Sequence, residues 1–391
     1  MLIEFEYLKE FKCAESKCSN TCCGGWNICM DKEALERINQ SSEPNIKDFF
    51  KDEFFSKQIK IKSNCKTSKH NIADKKTPCI FLDNDNLCEI QKRFDKTFLP
   101  HMCNTFPKRY VDFPDFKFVS GSFGCPEISK IVLFKNKIPK ILINGNKKSK
   151  DDLNFLQVSD DNEDPKLYRD DYAVNGKKIV NLILSLFEKN ESIKLVLKMV
   201  NQIGKEREIF ESNPKKINEI FFFIFECLKY ENNKEENRDL FQISFFKNLF
   251  GALSIEDLDV PIREIIQKDC EKLFNNNEES IMKFSKHREL YDGLLRKFPL
   301  FENNFFMNEI LGKLHFFTNK SLSLEEMIGK TTLIFSITRF LFIVKQRPKQ
   351  KNLQKNYSKI LSQCSKCFDG INYKKILEIK KNIFTDLTKL F

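Results

Sequence analysis

Apolar residues recur at steps of three and four positions through much of the chain beyond residue 172. This is the period of an amphipathic helix, because residues three or four apart lie on the same helical face. The segments 176–204 and 262–276 show it most clearly. We therefore predict that residues 173–391 form an all-helical bundle.

The apolar run that ends near Val344 has its own start signal. Ser323 and Glu326 have the spacing of a capping box, which satisfies free backbone N–H groups at the start of a helix. The run from Thr331 is 14 residues long and contains Arg339, whereas a bilayer span needs roughly 20 apolar residues. We therefore expect a core helix and not a membrane anchor. Its predicted buried face carries Leu333, Ile337, Leu341 and Val344.

Two aromatic segments fall in the helical region, at Phe221–Glu226 and Phe301–Glu309. We interpret them as core packing and not as a ligand cage. Residues 147–172, upstream of them, are charged, weakly periodic and contain a proline. Such a composition is typical of a linker or an exposed excursion, so we place the domain boundary there.

The composition of the 391 residues is that of a globular protein, since 41% are hydrophobic and 31% are charged. The formal net charge is +11, which would attract anionic partners if the basic residues were clustered. Lys and Arg are instead dispersed among Asp and Glu, and the sequence has no recognised nucleic-acid-binding module. The first residues do not have the pattern of a secretory signal. We expect a cytoplasmic protein without membrane insertion and without a nucleic acid partner.

Cysteine is concentrated in the first third of the chain. Ten of the 14 cysteines lie between Cys13 and Cys125, most of them in CAESKCSNTCCGGW, TPCIFLDNDNLCEI, LPHMCNTFP and GSFGCPEI. In a reducing cytoplasm, clustered cysteines bind metal or do redox chemistry more often than they form disulfides. The sequence therefore predicts a mainly α protein, with a cysteine-rich, loop-rich metal-cluster domain at 1–146 followed by the helical domain at 173–391.

The spacing of the cysteines and the residues near them indicate which metal they would bind. Zinc sites usually combine CxxC pairs or cysteine with histidine, and neither arrangement occurs in the cysteine-rich segments. All-thiolate coordination favours an iron–sulfur cluster, with zinc as the alternative. Cys227 and Cys270 are expected to pack as small apolar residues, and the isolated Cys364–Cys367 pair is interpreted as incidental. The sequence contains neither the CxxxCxxC spacing of radical S-adenosylmethionine enzymes nor a GxGxxG fingerprint.

The run FKCAESKCSNTCCGGWNICMDKE, followed by CIFLDNDNLCEIQKRF, LPHMCNTFPKRY and SGSFGCPEI, resembles the flagellin lysine-N-methylase family. That family is related to a wider group of small zinc- or iron-chelating cysteine-cluster proteins. The stretch FPLFENNFFMNEIL extends the likeness toward the C-terminus. Cys29 and Cys65 do not match family positions and are treated as bystanders. The eight cysteines that do match are Cys13, Cys18, Cys22, Cys23, Cys79, Cys88, Cys103 and Cys125.

The resemblance implies a protein lysine N-methyltransferase that carries methyl from S-adenosylmethionine to surface lysines of flagellin. It also implies an iron–sulfur cluster, most simply 4Fe-4S with four cysteine ligands, drawn from the eight matching cysteines. The family commonly has Tyr-Pro-Arg where this chain has Phe106, Pro107, Lys108 and Arg109. Two alternatives stay open. One is a non-enzymatic zinc- or iron-binding or assembly protein that uses the same thiolates, and the other is a methylase of a different protein.

Methylation of a lysine requires its neutral amine, and the free side chain has a pKa of about 10.4. The site must therefore desolvate the amine or supply a base. Asp31 and Glu127 are the candidate bases, although a helix N-cap at Asp31 and a helix first turn at Glu127 are the simpler interpretations. Asp83 and Asp85 are interpreted as residues of a tight turn.

Gly24, Gly25 and Trp26 are the candidate cofactor-binding residues. Two glycines allow close approach of the backbone to a cofactor, and the single Trp could stack on an adenine or cover the cluster. A Gly-Gly turn beside a buried aromatic residue is the simpler interpretation.

Overall fold

The computed structural model describes residues 2–50, 71–74, 77–112, 116–143, 146–147, 187, 238–252, 258, 260–275, 278–313, 324–345 and 352–369. The strands are β1 Leu2–Phe5, β2 Ile28–Cys29, β3 Asn71–Ala73, β4 Lys108–Asp112, β5 Lys117–Gly121, β6 Ile141–Ile143 and β7 Asn146–Lys147. The helices are α1 Lys32–Gln40, α2 Ile46–Phe49, α3 Glu89–Arg93, α4 His101–Thr105, α5 Pro126–Leu133, α6 Arg238–Ala252, α7 Val260–Ile265, α8 Glu271–Phe274, α9 Glu278–Lys297, α10 Phe301–Leu311, α11 Leu324–Lys345 and α12 Leu353–Asp369. The predicted mainly α class is confirmed.

Five of the strands form a mixed sheet in the order β4-β5-β1-β6-β7. β1 runs parallel to β5 and antiparallel to β6. In β1, Ile3 and Phe5 are buried and alternate with more exposed residues, as expected for a strand that packs one face on a core. The sequence analysis did not predict this sheet, because its strands are only two to five residues long and its central partners are far apart in the chain. The N-terminal region is therefore less loop-rich than predicted.

The main hydrophobic core joins this sheet to the helices of the C-terminal region. Phe123 follows β5 and stacks on Phe305 of α10, with 5.1 Å between the ring centroids. α12 packs against both α5 and α11. Residues on both sides of the predicted linker thus share one core. The domain boundaries stay a prediction, because residues 148–172 lie outside the described part of the chain.

A second, smaller core lies beneath the cysteine-rich segments. It is formed by residues in and around β2, β3, α1 and α3, and by the turn before α4. Its most buried members include Ile28, Met30, Ala34, Ile72, Phe81, Ile90 and Leu99. This core holds the short elements that carry the cysteines, and β2 and β3 pair above it as a two-stranded ribbon.

The helical predictions are confirmed wherever the structure describes them. α7, a π-helical turn at Ile266–Cys270 and α8 cover the predicted segment 262–276 as far as Phe274. α11 covers the apolar run, and residues 331–343 are all buried, Arg339 included. α11 therefore packs around its whole circumference and not on one face. Among the described helices, none combines the length and the apolarity that crossing a bilayer requires.

The packing predictions in this region are also confirmed. In Phe301–Glu309, every residue except Glu302 is buried. Cys270 is buried in the main core, as predicted. Both members of the Cys364–Cys367 pair are buried there too, and their interpretation as incidental stays a prediction. Three predictions fall outside the described residues: the segment 176–204 apart from Phe187, Ser323 of the capping box, and Phe221–Glu226 with the neighbouring Cys227.

Candidate functional site

The eight cysteines that match the family positions are all described, and all are free thiols. Cys29, which the resemblance leaves out, is disulfide-bonded, and Cys65 lies outside the described residues. Five of the eight thiols line one cavity: Cys22, Cys23, Cys79, Cys88 and Cys103. We call these five the cavity thiols. The fold thus brings together thiols from segments that are distant in the sequence.

The cavity thiols are carried by short elements packed on the second core. The cysteine loop, Thr21–Trp26, leads into β2 and holds two of them. The carbonyl of Cys23 in this loop accepts a hydrogen bond from the backbone N–H of Cys79, across 2.7 Å. Cys88 is the N-cap of α3, and Cys103 lies within α4. The main-chain bond between Cys79 and Cys23 therefore fixes the cysteine loop against the segment that follows β3.

The cavity has a volume of about 60 Å³, several times the roughly 10–15 Å³ that one water needs. Its other walls are mostly apolar and include Ile28, Ile72, Phe81, Ile90 and Leu99. Trp26 and Phe106 also line it and meet edge to face, with ring centroids 5.0 Å apart. The thiols therefore face a space with few competing polar groups.

Of the described thiols that match the family, Cys13, Cys18 and Cys125 lie outside the cavity lining. The Cys18 thiol donates to the backbone carbonyl of Asn20 across 3.3 Å. Cys125 is the N-cap of α5. Both Cys18 and Cys22 are close enough to act on the pKa of Cys125. Cys13 and Cys22 in turn act on the pKa of Cys18. The three thiols thus lie near one another, and Cys22 is the cavity thiol close to them.

The pKa values of the thiols are unequal. A hydrogen bond from the Cys23 thiol lowers the pKa of Cys22 to about 6, although burial opposes it, and the Lys366 ammonium adds to the lowering. The same hydrogen bond, together with burial, raises the pKa of Cys23 far above its usual range. Burial raises the pKa of both Cys79 and Cys125 to about 12. Burial also raises the pKa of Cys18, Cys88 and Cys103. Among these thiols, the lowered pKa makes Cys22 the one that most readily loses its proton.

Thiolates are the ligands of iron–sulfur clusters and of soft metals, so the chemistry of this donor set fits the cofactor that the resemblance implies. Within the described residues, however, no three His, Cys, Asp or Glu side chains are arranged so that they could hold a metal ion. The thiols share a cavity without forming a finished coordination site. The eight proposed ligands stay a prediction.

The Gly-Gly turn and Trp26 have clear local roles. Gly25 has a φ of 83°, in the left-handed region that favours glycine. A Cβ on Gly24 would meet Pro78 at 3.5 Å, which is an ordinary contact. The indole N–H of Trp26 donates to the carbonyl of Cys22 across 2.8 Å and closes the cysteine loop. Cofactor binding by these three residues stays a prediction.

The two candidate bases both have structural partners. Asp31 is the N-cap of α1, where it accepts from the backbone N–H of Ala34 at 2.8 Å. Its other carboxylate oxygen accepts from the backbone N–H of His101 at 2.5 Å and so ties α1 to α4. Glu127 lies in the first turn of α5 and pairs with Lys130 at 2.6 Å. The capping and first-turn interpretations are confirmed, and a catalytic role for either residue stays a prediction.

The tight turn at Asp83 and Asp85 is confirmed. The Asp83 carboxylate accepts from the backbone N–H groups of Asp85 and Leu87, at 2.9 and 2.8 Å. Lys92 pairs with Asp83 and, together with these backbone bonds, lowers its pKa. Asn86 completes the turn with a φ of 60°.

Sequence analysis missed a buried ion-pair network between the sheet and α10. Arg109 of β4 makes two hydrogen bonds to the carboxylate of Glu309, at 2.8 and 3.2 Å. Lys313 approaches the same carboxylate to 2.8 Å, and only 6% of the Glu309 side chain is exposed. Burial alone would raise the pKa of Glu309, but Arg109 and Lys313 together lower it below its ordinary value. Both segments carry the family resemblance, yet 200 residues separate the partners.

Tyr7 and Asn308 extend this network into the core. The Tyr7 hydroxyl donates to the side-chain oxygen of Asn308 and accepts from the backbone N–H of Gly121 at 2.7 Å. The Asn308 amide donates to the carbonyl of Gly121 across 2.9 Å. Burial raises the pKa of Tyr7 well above its ordinary value. α10 is therefore joined to the sheet by polar side chains as well as by aromatic packing.

Trp26 also lines a second, smaller cavity of about 10 Å³. Its lining includes the charged side chains of Arg109, Glu309, Lys313 and Lys366. Trp26 thus borders both the cavity thiols and the ion-pair network.

Comparisons with known proteins agree with the resemblance seen in the sequence. The chain is 28% identical, over 127 residues, to a protein named Lysine-N-methylase from Salmonella typhimurium (strain LT2) and to another of that name from Salmonella choleraesuis (strain SC-B67). The matched part of the chain is similar to these two lysine-N-methylases. These two matches span 32% of the chain and only 31% of each Lysine-N-methylase.

A third relative is named for the flagellum. The chain is 29% identical, over 143 residues, to the Flagellar biosynthetic protein FliU of Salmonella muenchen. That match spans 37% of the chain and 81% of FliU. No protein-family model matches the chain, and no solved structure does.

Proposed function

We propose that this protein is a lysine N-methyltransferase that carries methyl from S-adenosylmethionine to flagellin and depends on a thiolate-bound iron–sulfur cluster. The observation that carries the proposal is the gathering of five free thiols around one cavity, in a chain related to lysine-N-methylases. The relative named for flagellar biosynthesis supports flagellin as the substrate. The cluster and the methyl donor follow from the family resemblance of the cysteine segments.

The chain's own residues can prepare a lysine for methyl transfer. The walls beside the cavity thiols are apolar and include Phe81 and Ile90. An ammonium that enters such a space loses its hydration, and desolvation disfavours the charged form. Desolvation would therefore lower the pKa of the target lysine against the opposing effect of nearby thiolates, and so favour the neutral amine that accepts the methyl group. Trp26 and Phe106 would exclude water from one side of this space.

The cavity thiols are the residues that would hold the cluster, with Cys13, Cys18 and Cys125 next to them. When bound, an iron–sulfur cluster supplies redox-active iron that also acts as a Lewis acid. The cysteine loop positions two of the cavity thiols through the main-chain bond between Cys79 and Cys23.

The proposal is tested by methyl transfer with protein prepared without air. The wild-type chain is incubated with S-adenosylmethionine and flagellin, and methylated lysines are identified by mass spectrometry. Cys79→Ser removes one cavity thiol, and Cys270→Ser removes a buried thiol of the helical region that is distant in sequence from the cysteine segments. We expect methylation by the wild type and by Cys270→Ser, and a loss of most of it in Cys79→Ser. Absence of methylation by the wild type, or equal methylation by Cys79→Ser, would contradict the proposal.

A second candidate function is a metal-binding protein that catalyses nothing. The relative that is matched over most of its length, FliU, has a name that states no enzymatic activity. In that case the wild-type protein would bind zinc or iron through the cavity thiols, and no methyl group would reach flagellin at any concentration of S-adenosylmethionine.

A further inference from the structure

Lys366 lies on α12, far in sequence from every cavity thiol, yet it reaches the cysteine loop. Its side chain is buried, with only 3% of the residue exposed. The ammonium donates to the carbonyl of Thr21 across 2.5 Å and to that of Gly24 across 3.4 Å. Thr21 and Gly24 stand directly on either side of Cys22 and Cys23 in the chain. The ammonium is thus held against the backbone that presents two of the cavity thiols.

The same face of α12 makes a second contact with the cysteine-rich region. Ser362 lies one helical turn before Lys366, so the two side chains share a face. The Ser362 hydroxyl accepts from the side-chain amide of Asn20 and donates to the carbonyl of Gly124, each across 2.7 Å. Gly124 precedes Cys125, so α12 contacts residues that stand next to both groups of cysteines in the chain. The Lys366 ammonium also lies 5.7 Å from the centroid of the Trp26 ring.

Thiolates that bind a metal are anions, and four of them around a cluster place excess negative charge in the cavity. A fixed cation beside the cysteine loop would lower the free energy of that charged state, because electrostatic interactions are strong where water is excluded.

We infer that Lys366 is a positioning residue of the cysteine site, which holds the cysteine loop in place and offsets the negative charge of its metal-bound thiolates. The inference rests on the proposed metal centre. It assigns to α12, a helix without any ligand of its own in the resemblance, a direct part in the affinity of the cavity thiols for metal. Partners that orient the ligands of a metal without binding the metal typically contribute 10- to 100-fold to metal affinity.

The test is a Co²⁺ titration of reduced, metal-free full-length protein, followed by the absorption of the thiolate–Co²⁺ bond. Lys366→Gln keeps hydrogen-bond donors toward Thr21 and Gly24 but removes the charge, whereas Lys366→Arg keeps the charge. The matched control is Lys359→Gln, because Lys359 is an exposed lysine on the same helix. We expect Lys366→Gln to weaken Co²⁺ binding by about 10- to 100-fold. Lys366→Arg should lose less than Lys366→Gln, and Lys359→Gln should bind as the wild type does.

Equal Co²⁺ affinity in the wild type and Lys366→Gln would overturn the inference and leave the metal centre standing. Wild-type protein that binds no Co²⁺ and contains no iron would overturn the metal centre, and the inference with it. The reduction potential of the iron centre in folded Lys366→Gln is a second measurement. It distinguishes the loss of the charge from a loss of folding. Removal of a nearby positive charge disfavours the added electron, so the potential should become more negative. An unchanged or more positive potential would overturn the charge role.

Discussion

The carboxylate of Glu309 should contribute strongly to the stability of this fold, because it is buried and paired with two cations. Glu309→Gln keeps the shape of the side chain but leaves Arg109 and Lys313 without their common counter-charge. The exposed fractions of the Glu309, Arg109 and Lys313 side chains are 6%, 22% and 11%. Removal of one partner of a fully buried pair costs about 3–5 kcal/mol. Because Arg109 keeps some contact with water, we expect a loss of about 2–4 kcal/mol in the free energy of unfolding.

The assay is equilibrium unfolding in urea, with the free energy taken from the midpoint and the slope. The matched control is Glu10→Gln, since Glu10 is 41% exposed and pairs with Lys135 and Lys137 on the surface. Exposed pairs contribute about 0–1 kcal/mol, so this variant should unfold nearly as the wild type does. Equal losses in Glu10→Gln and Glu309→Gln would refute the reasoning.

The wild type and Glu309→Gln also test whether the stabilisation by the Glu309 carboxylate is lost in acid. The folded state lowers the pKa of Glu309 below its ordinary value of 4.5. A carboxylate of this kind stabilises the fold above pH 4.5, and the contribution is lost as the pH falls through the lowered pKa. The difference in stability between the wild type and Glu309→Gln should therefore be constant from pH 6 to pH 8 and shrink in acid. A difference that grows on acidification would show that Glu309 is not held as a carboxylate.

Three further outcomes are expected from the local geometry. Tyr7→Phe leaves two buried polar groups without their partner and should cost about 1–3 kcal/mol in urea unfolding, whereas Tyr110→Phe, at an exposed tyrosine, should cost little. Equal costs would contradict this. Gly25→Ala should destabilise the protein by about 1–2 kcal/mol because its φ is 83°, and Gly24→Ala should cost clearly less; the reverse order would mean that the turn is built differently. In reduced, metal-free protein, iodoacetamide should label Cys22 fastest at pH 7, with a rate that falls as the pH drops through about 6. Peptide mapping would contradict this if Cys22 were labelled no faster than the buried thiols.

Local signals in the sequence predicted much of what the structure contains. The apolar period predicted α11, and the polar residues around Asp83 predicted a tight turn, because both depend on neighbours a few positions apart. Asp31 was identified as an N-cap for the same reason. The family motif identified the cysteines, and five of the eight matching thiols do share a cavity.

Contacts between segments that are distant in the chain are not predicted by any local pattern in the sequence. The sheet pairs β1 with β5, and the ion pair joins Arg109 to Glu309 across 200 residues. Nothing in the local sequence distinguishes Lys366 from the other lysines of the Lys-rich helical stretch in which it lies. Only the packing of α12 against α5 brings its ammonium to the cysteine loop. The full burial of α11 likewise depends on neighbours that a single helical pattern does not reveal.

The most direct test of the proposed function is the content of iron and acid-labile sulfide in wild-type protein purified without air. A 4Fe-4S cluster held by the cavity thiols predicts about four of each per chain, with both lost in Cys79→Ser and retained in Cys270→Ser. Wild-type protein that contains neither iron nor sulfide while all eight matching thiols remain free to react, or that contains zinc alone, would contradict the account.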